Sequence, residues 1–174
     1  MKTTTNQNRP KLKLEMSQTD RFIEAGSILL LLGTWILAIW NFRYLPEMMP
    51  SHTNLAGEID GYTSRIWIFL MPVISTITFV MMMILSRYPH VFNYPLEVTE
   101  ETAPRVYAFS VRMVRTLNLG VVALFFLSEY MIIQMAFGHN TGPSLWLIIL
   151  LVLMIIPFLI YSINKLFKLG RVKK

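Results

Sequence analysis

Four sets of residues in this chain have the types and spacing to do chemistry. Glu129 stands inside a long apolar run, with Asn118 and Gln134 on the same run. A charged side chain within a bilayer costs roughly 3 kcal/mol on insertion scales and by default marks a functional position. It needs a proton or a cationic partner, for which Arg43, Arg65, His52 and His139 are the candidates. The plainer alternative is a polar contact between helices. His52, Asn54 and Asp60, with Glu47 and Glu58, share one polar segment between apolar runs. Histidine and carboxylates suit zinc-like ions, but His-x-Asn followed six residues later by Asp is no recognised ligand spacing, so no metal is assigned. Asn and Asp equally hydrogen-bond their own turns, and His52 could brace the loop. His90 and Asn93 lie in the string YPHVFNYP, where His90 reads as a turn residue rather than a base. Arg105, Arg112 and Arg115 are spaced seven and three apart, broadly on one helical face. They read as lipid headgroup anchors, or as a docking face for a partner.

No catalytic template fits around these groups. The chain has no His-Glu-x-x-His, no Gly-x-Ser-x-Gly and no phosphate-binding glycine loop. It has no cysteine, which removes disulfides, thiolate metal sites and thiol nucleophiles. A non-enzymatic reading is therefore favoured, and no cofactor is implied.

The elements that must position these residues follow from where the apolar residues fall. The chain is 54% hydrophobic and 15% charged, against about 25% charge in a soluble domain. The apolar residues collect in four blocks, 25–42, 66–86, 117–137 and 145–166. Each can cross a hydrocarbon core of roughly 30 Å as a helix, the form in which backbone groups satisfy one another in lipid. This predicts an all-α membrane protein with four transmembrane helices, at about 20–43, 66–86, 103–137 and 144–167. The transmembrane domain covers 20–166. A flexible basic tail, 1–19, precedes it and a basic tail, 167–174, follows. The first block reads as a retained helix, since no small-x-small cleavage pattern follows it. Ser17 and Asp20 offer a capping signal at its start.

Basic residues set the orientation. Fourteen of the sixteen lie in the two tails and the 87–115 segment, and the other two are Arg43 and Arg65. Lysine and arginine collect on the cytoplasmic side. Both termini and the 87–102 loop are thus expected inside, and the 44–65 loop outside. The net charge of +6 then reports topology and contact with anionic lipid rather than nucleic acid, for which no basic patch interleaved with aromatics exists. Pro46, Pro50, Gly57 and Asp60-Gly61 punctuate the first external loop, which reads as an ordered cap. A helix starting near Thr102, with Pro104 in its first turn, would run on through the third block for roughly 50 Å. Pro72 and Pro157 are expected to kink the second and fourth helices. Trp40, Trp67 and Trp146 fall where an outer aromatic belt would lie.

The string LPEMMPSHTNLAGEIDGYTSR resembles the loop signature of the SdpI-like proteins, a bacterial membrane family named only as a domain of unknown function. Leu45, Pro46, Pro50, His52, Asn54, Gly57, Asp60 and Gly61 carry the likeness. Tyr88, Pro89, His90, Asn93, Tyr94 and Pro95 extend it past the second block. The resemblance implies a multi-pass protein of the bacterial cytoplasmic membrane, and a role in toxin immunity or in sensing an external peptide or envelope component. The lipid bilayer is the expected partner, with a peptide or another membrane protein beside it. Two other readings stand next to this one. Glu129 could meet His52 and Asp60 in a membrane enzyme or transporter component, or the chain could be a structural subunit of a complex.

Overall fold

The computed structural model describes residues 9–54, 58–139 and 145–171. For His52, Thr53 and positions 145–148, 150, 151 and 154 it describes the backbone alone. The fold is mostly helical. Helices α1 (Gln18–Phe42), α2 (Leu70–Leu85), α3 (Ala103–Ala136) and α4 (Leu145–Leu169) carry most of the chain. Among the described residues, Gln18–Phe42, Arg65–Leu85 and Ala103–Ala136 are long and apolar enough to cross a membrane. Large apolar side chains such as Leu29, Ile36, Ile39 and Met81 stand exposed along these helices, and Leu153 along α4, which suggests lipid contact and a multi-pass membrane protein.

The chain is not all-α. The 44–65 segment holds an antiparallel hairpin of β1 (Met48–Thr53) and β2 (Ile59–Ser64). The segment is too short and too rich in proline and turn residues to continue a helix, and its backbone groups find partners by pairing across the turn. A five-residue 3₁₀ helix, Arg65–Phe69, then leads into α2. Pro72 consequently lies in the first turn of α2 and not at a mid-helix kink. It has no amide hydrogen to donate, and this position asks little of one.

The helix ends follow local rules. Ser17 caps α1 through a capping box with Asp20. Gly138, at φ +76, ends α3, with His139 N–H donating to the Gln134 carbonyl and Gly138 N–H to that of Met135, a Schellman arrangement. The tail is not free from residue 9 onward. Arg9 donates to the Phe92 carbonyl and lies 5.2 Å from the Tyr94 ring centroid. Leu14 packs on the cluster of Tyr94, Val98, Ala103, Val106, Tyr107 and Leu166. The reach of Arg9, which charge counting does not reveal, converts part of the tail into structure. Burial pushes the Tyr94 phenol up to about 12, so it stays a neutral donor, to the Pro89 carbonyl at 3.0 Å. Leu166 in the same cluster brings the C-terminal end of α4 back to the end of the bundle where α1 begins. Further along, an apolar groove of about 420 Å³ separates α3, at Leu117 to Leu124, from Ile155 and Phe158 of α4.

Helices α1 and α3 pack closely because glycine lets them. A Cβ at Gly33 would sit 2.9 Å from the Phe126 ring, whereas one at Gly26 would meet Leu119 at an ordinary 3.5 Å. Gly33→Ala is expected to lower stability by about 1–3 kcal/mol, and Gly26→Ala to leave it nearly unchanged. Unfolding in detergent with increasing denaturant compares the two. Equal effects would mean that Phe126 gives way freely.

Candidate functional site

The inward faces of α1, α2 and α3 carry most of the polar chemistry within the bundle. On α1 the buried positions are Asp20, Ser27, Thr34 and Ala38, the first three a heptad apart. Buried Ser75 lies on α2, and buried Ser110, Asn118 and Glu129 on α3. In lipid, small and polar side chains let helices approach and hydrogen-bond, while leucines turn outward to the acyl chains. Ser27 and Thr34 donate to the Ile23 and Leu30 carbonyls, both at 2.9 Å. Asn118 donates to the Phe79 carbonyl at 3.3 Å, tying α3 to α2. Trp35 Nε1 donates to Thr76 Oγ1 at 3.0 Å, tying α1 to α2.

Glu129 is fully buried, and neither of its carboxylate oxygens has a hydrogen-bond partner among the described residues. The two arginines expected at the outer face are engaged elsewhere. Arg43 lies over the Trp40 and Tyr44 rings at 5.8 and 4.6 Å. Arg65 lies 5.2 Å from the Phe42 centroid and donates to the Leu45 carbonyl at 3.4 Å. Both rest on aromatic faces, at lower desolvation cost than pairing with a buried carboxylate. His139 is exposed and Gln134 half-buried. Glu129 stands between two packed levels. Phe126 lies below it against Gly33, and Ile133 above it clusters with Ala38, Leu45, Met49 and Ile68.

That upper cluster is where the hairpin meets the bundle. Leu45 and Met49 are 3% and 2% exposed, and Pro50 is also buried, while Pro46 is exposed. The register pairs Met49 with Thr63, Pro50 with Tyr62 and His52 with Gly61, so that Ser51 bulges, and a second irregularity follows at Asp60. Asn54 closes the strands. Its amide N–H donates to the Glu58 carbonyl at 2.9 Å, its Nδ2 to the Glu58 carboxylate at 2.9 Å, and its Oδ1 receives the Glu58 N–H at 3.0 Å. Asn54 thus works as a turn residue. Asp60 is exposed at the bend of β2. His52 contributes backbone to β1, its side chain lying outside the description, and Gly57 lies outside the described residues. Among the described residues no three His, Asp or Glu side chains converge to hold a metal ion.

At the opposite end Arg112 and Arg115 turn toward acidic groups of α1, Arg112 staying partly exposed. Arg112 Nε donates to Asp20 at 3.0 Å, and a second Arg112 nitrogen donates to Ser17 at 3.1 Å. Arg115 lies 3.8 Å from Asp20 and 3.6 Å from Glu24. Arg105 donates to the Arg171 carbonyl at 3.0 Å. The acidic partners, on α1 nearly a hundred positions away in sequence, are what a helical-face count on α3 leaves out. His90 sits in a short 3₁₀ turn, Pro89–Val91, half-buried, its ring 6.2 Å edge-on from Tyr88. Asn93 is exposed.

Comparison with known proteins agrees with the hairpin as the distinctive part. Residues 29–76 match the family model described as a domain of unknown function, DUF1648. The match runs from the middle of α1 through the hairpin to the middle of α2, and it includes the loop string quoted above. An uncharacterized protein of Archaeoglobus fulgidus is similar to this chain, 26% identical over 141 residues that cover 73% of this chain and 76% of that protein. No solved structure matches the chain.

Proposed function

We propose that this chain is a non-enzymatic membrane protein with four spans and both termini in the cytoplasm, whose hairpin recognises an amphipathic peptide or envelope component at the external face. Tolerance to such a peptide, or sensing of it, is the outcome. The orientation rests on the charge division, Arg43 and Arg65 alone lying at the hairpin end. The return of Leu166 to the cluster around Tyr107 supports it. The likeness to the SdpI-like proteins supports the immunity reading and a bacterial cytoplasmic membrane as its place.

One observation carries the recognition role. The hairpin is anchored on one side and offers an apolar, aromatic plate on the other. Leu45, Met49 and Ile68 are buried against α1 and α3. Tyr44, Met48, Tyr62, Ile66 and Trp67 are each more than half exposed. Aromatic side chains with an apolar body and a polar tip suit a membrane surface and an amphipathic peptide lying on it. Deleting the gene is expected to raise sensitivity to envelope-active cationic peptides several-fold, and the wild-type chain to restore tolerance. A Tyr62→Ser, Trp67→Ser double variant, present at the same level, restores little of it. Unchanged sensitivity on deletion, with close relatives deleted as well, overturns the proposal.

A further inference from the structure

We propose that Glu129 is a proton-binding site inside the bundle, filled from the end opposite the hairpin through a hydrated seam of polar side chains. The inference is independent of what the hairpin recognises.

Glu129 is the single acidic or basic side chain on the apolar lengths of the three packed helices. Helix α1 has none between Glu24 and Arg43, α2 has none, and α3 has no other beyond Arg115. On α4 the charges are Lys165 and Lys168 at the far end. On the hairpin side Glu47, Glu58 and Asp60 are exposed, and Arg43 and Arg65 are held over rings. Tyr130, its neighbour in sequence, is 46% exposed. A buried carboxylate without a partner is strongly unfavourable, so the group must take up a cation. A metal cation needs about six oxygen ligands. The described groups along the seam supply far fewer, whereas one oxygen suffices for a proton.

Unsatisfied polar atoms mark the route. Ser75 Oγ on α2 and Asn118 Oδ1 on α3 are buried without hydrogen-bond partners, as are both Glu129 oxygens. Buried groups of this kind are where internal water is found. Asn118 also lines a cavity of about 10 Å³ with Glu24, Ser27, Ser86 and Arg115, room for roughly one water molecule. That cavity opens the seam toward the basic end. Ser75 lies one turn of α2 beyond Phe79, whose carbonyl holds Asn118. Glu129 follows Asn118 by three turns of α3, about 16 Å. On its other side the cluster of Ala38, Leu45, Met49, Ile68 and Ile133 is apolar, so the side of Asn118 and Ser75 is the one that offers a polar route. In the step itself an O–H bond of a hydronium in the seam breaks and an O–H bond to the carboxylate forms, leaving neutral water. Release runs the same exchange backward.

The test is infrared difference spectroscopy between acidic and alkaline buffer on the full chain in liposomes. A carboxylic-acid C=O band that titrates and shifts in D₂O is expected, lost in Glu129→Gln and moved in frequency in Glu129→Asp. Asn118→Leu with Ser75→Ala is expected to slow its appearance after a pH jump by at least about tenfold. Circular dichroism checks that each variant keeps its helices, and the Asp variant retains a readout if the Gln variant does not fold. A spectrum identical in the wild type and a folded Glu129→Gln variant overturns the site. Unchanged kinetics in the seam variant overturn the route. Loss of the band on adding sodium at constant pH overturns the proton as the ligand.

Discussion

Asp20→Ala lowers the unfolding free energy in detergent by about 2–4 kcal/mol, through a lost helix cap and a lost tie between helices. Asp20 is 5% exposed. One carboxylate oxygen receives Ser17 N–H at 3.1 Å and Ser17 Oγ at 2.6 Å. The other receives Arg112 Nε at 3.0 Å. The Arg112 side chain is 44% exposed, so solvent screens much of that pair and it contributes little on its own. Arg115 matters more. Its side chain is 15% exposed, and without Asp20 it keeps only Glu24 at 3.6 Å, an imperfectly matched, largely buried charge. Ser17→Ala separates the two causes, since it removes the cap and leaves the carboxylate, at a cost of about 1 kcal/mol. Chemical unfolding followed by tryptophan fluorescence measures both. If Asp20→Ala loses no more than Ser17→Ala, the tie between α1 and α3 carries no net stability.

Met49→Ala loosens the hairpin from the bundle and costs about 2–5 kcal/mol, the range for truncating a large buried side chain. Met49 fills the space among Ala38, Leu45, Ile68 and Ile133. Strand alternation turns the neighbouring Met48 the other way, where it is 56% exposed. Met48→Ala is therefore expected to stay within about 0.5 kcal/mol of the parent. Hydrogen exchange at the amides joining β1 and β2 reads the difference directly. Faster exchange in Met49→Ala with unchanged exchange in Met48→Ala is expected. Equal exchange in both would mean that the hairpin holds its shape without the bundle beneath it. Either variant also probes recognition, since Met49→Ala displaces the plate and Met48→Ala alters it in place.

Legibility differed between residues for physical reasons. The Ser17–Asp20 cap is readable because a capping box closes within four residues. Gln134 and His139 meet at the end of α3 by an equally local rule. The hairpin is harder. Its turn residues are visible, but Ser51 bulges and the pairing is irregular near Asp60, so no clean alternation advertises the strands. Asn54 was legible as a turn-former, and its three bonds to Glu58 are that property realised. The ion pairs of Arg112 and Arg115 are not legible on α3, because Asp20 and Glu24 come to them from another helix. Likewise the candidate partners of Glu129 follow from the outer side on which the charge division places them, and not from contacts. Arg43 and Arg65 instead rest on aromatic rings that folding brings to them.

The amino-acid sequence by itself determined that apolar helices of membrane-crossing length exist, and that basic charge gathers at one end. Both are sums over local composition, and a bilayer responds to such sums. Which face of each helix turns inward was decided only by tertiary structure. In water the apolar face goes in, so periodicity would reveal it. In lipid the outside is apolar too, and the inside is chosen by what lets helices approach and bond. That is why Ser27, Thr34, Ser75 and Asn118 face inward while Leu29 and Leu32 face out, and why Glu129 is recognisable as unusual from sequence but shown to lack a partner among the described residues only by the packed bundle.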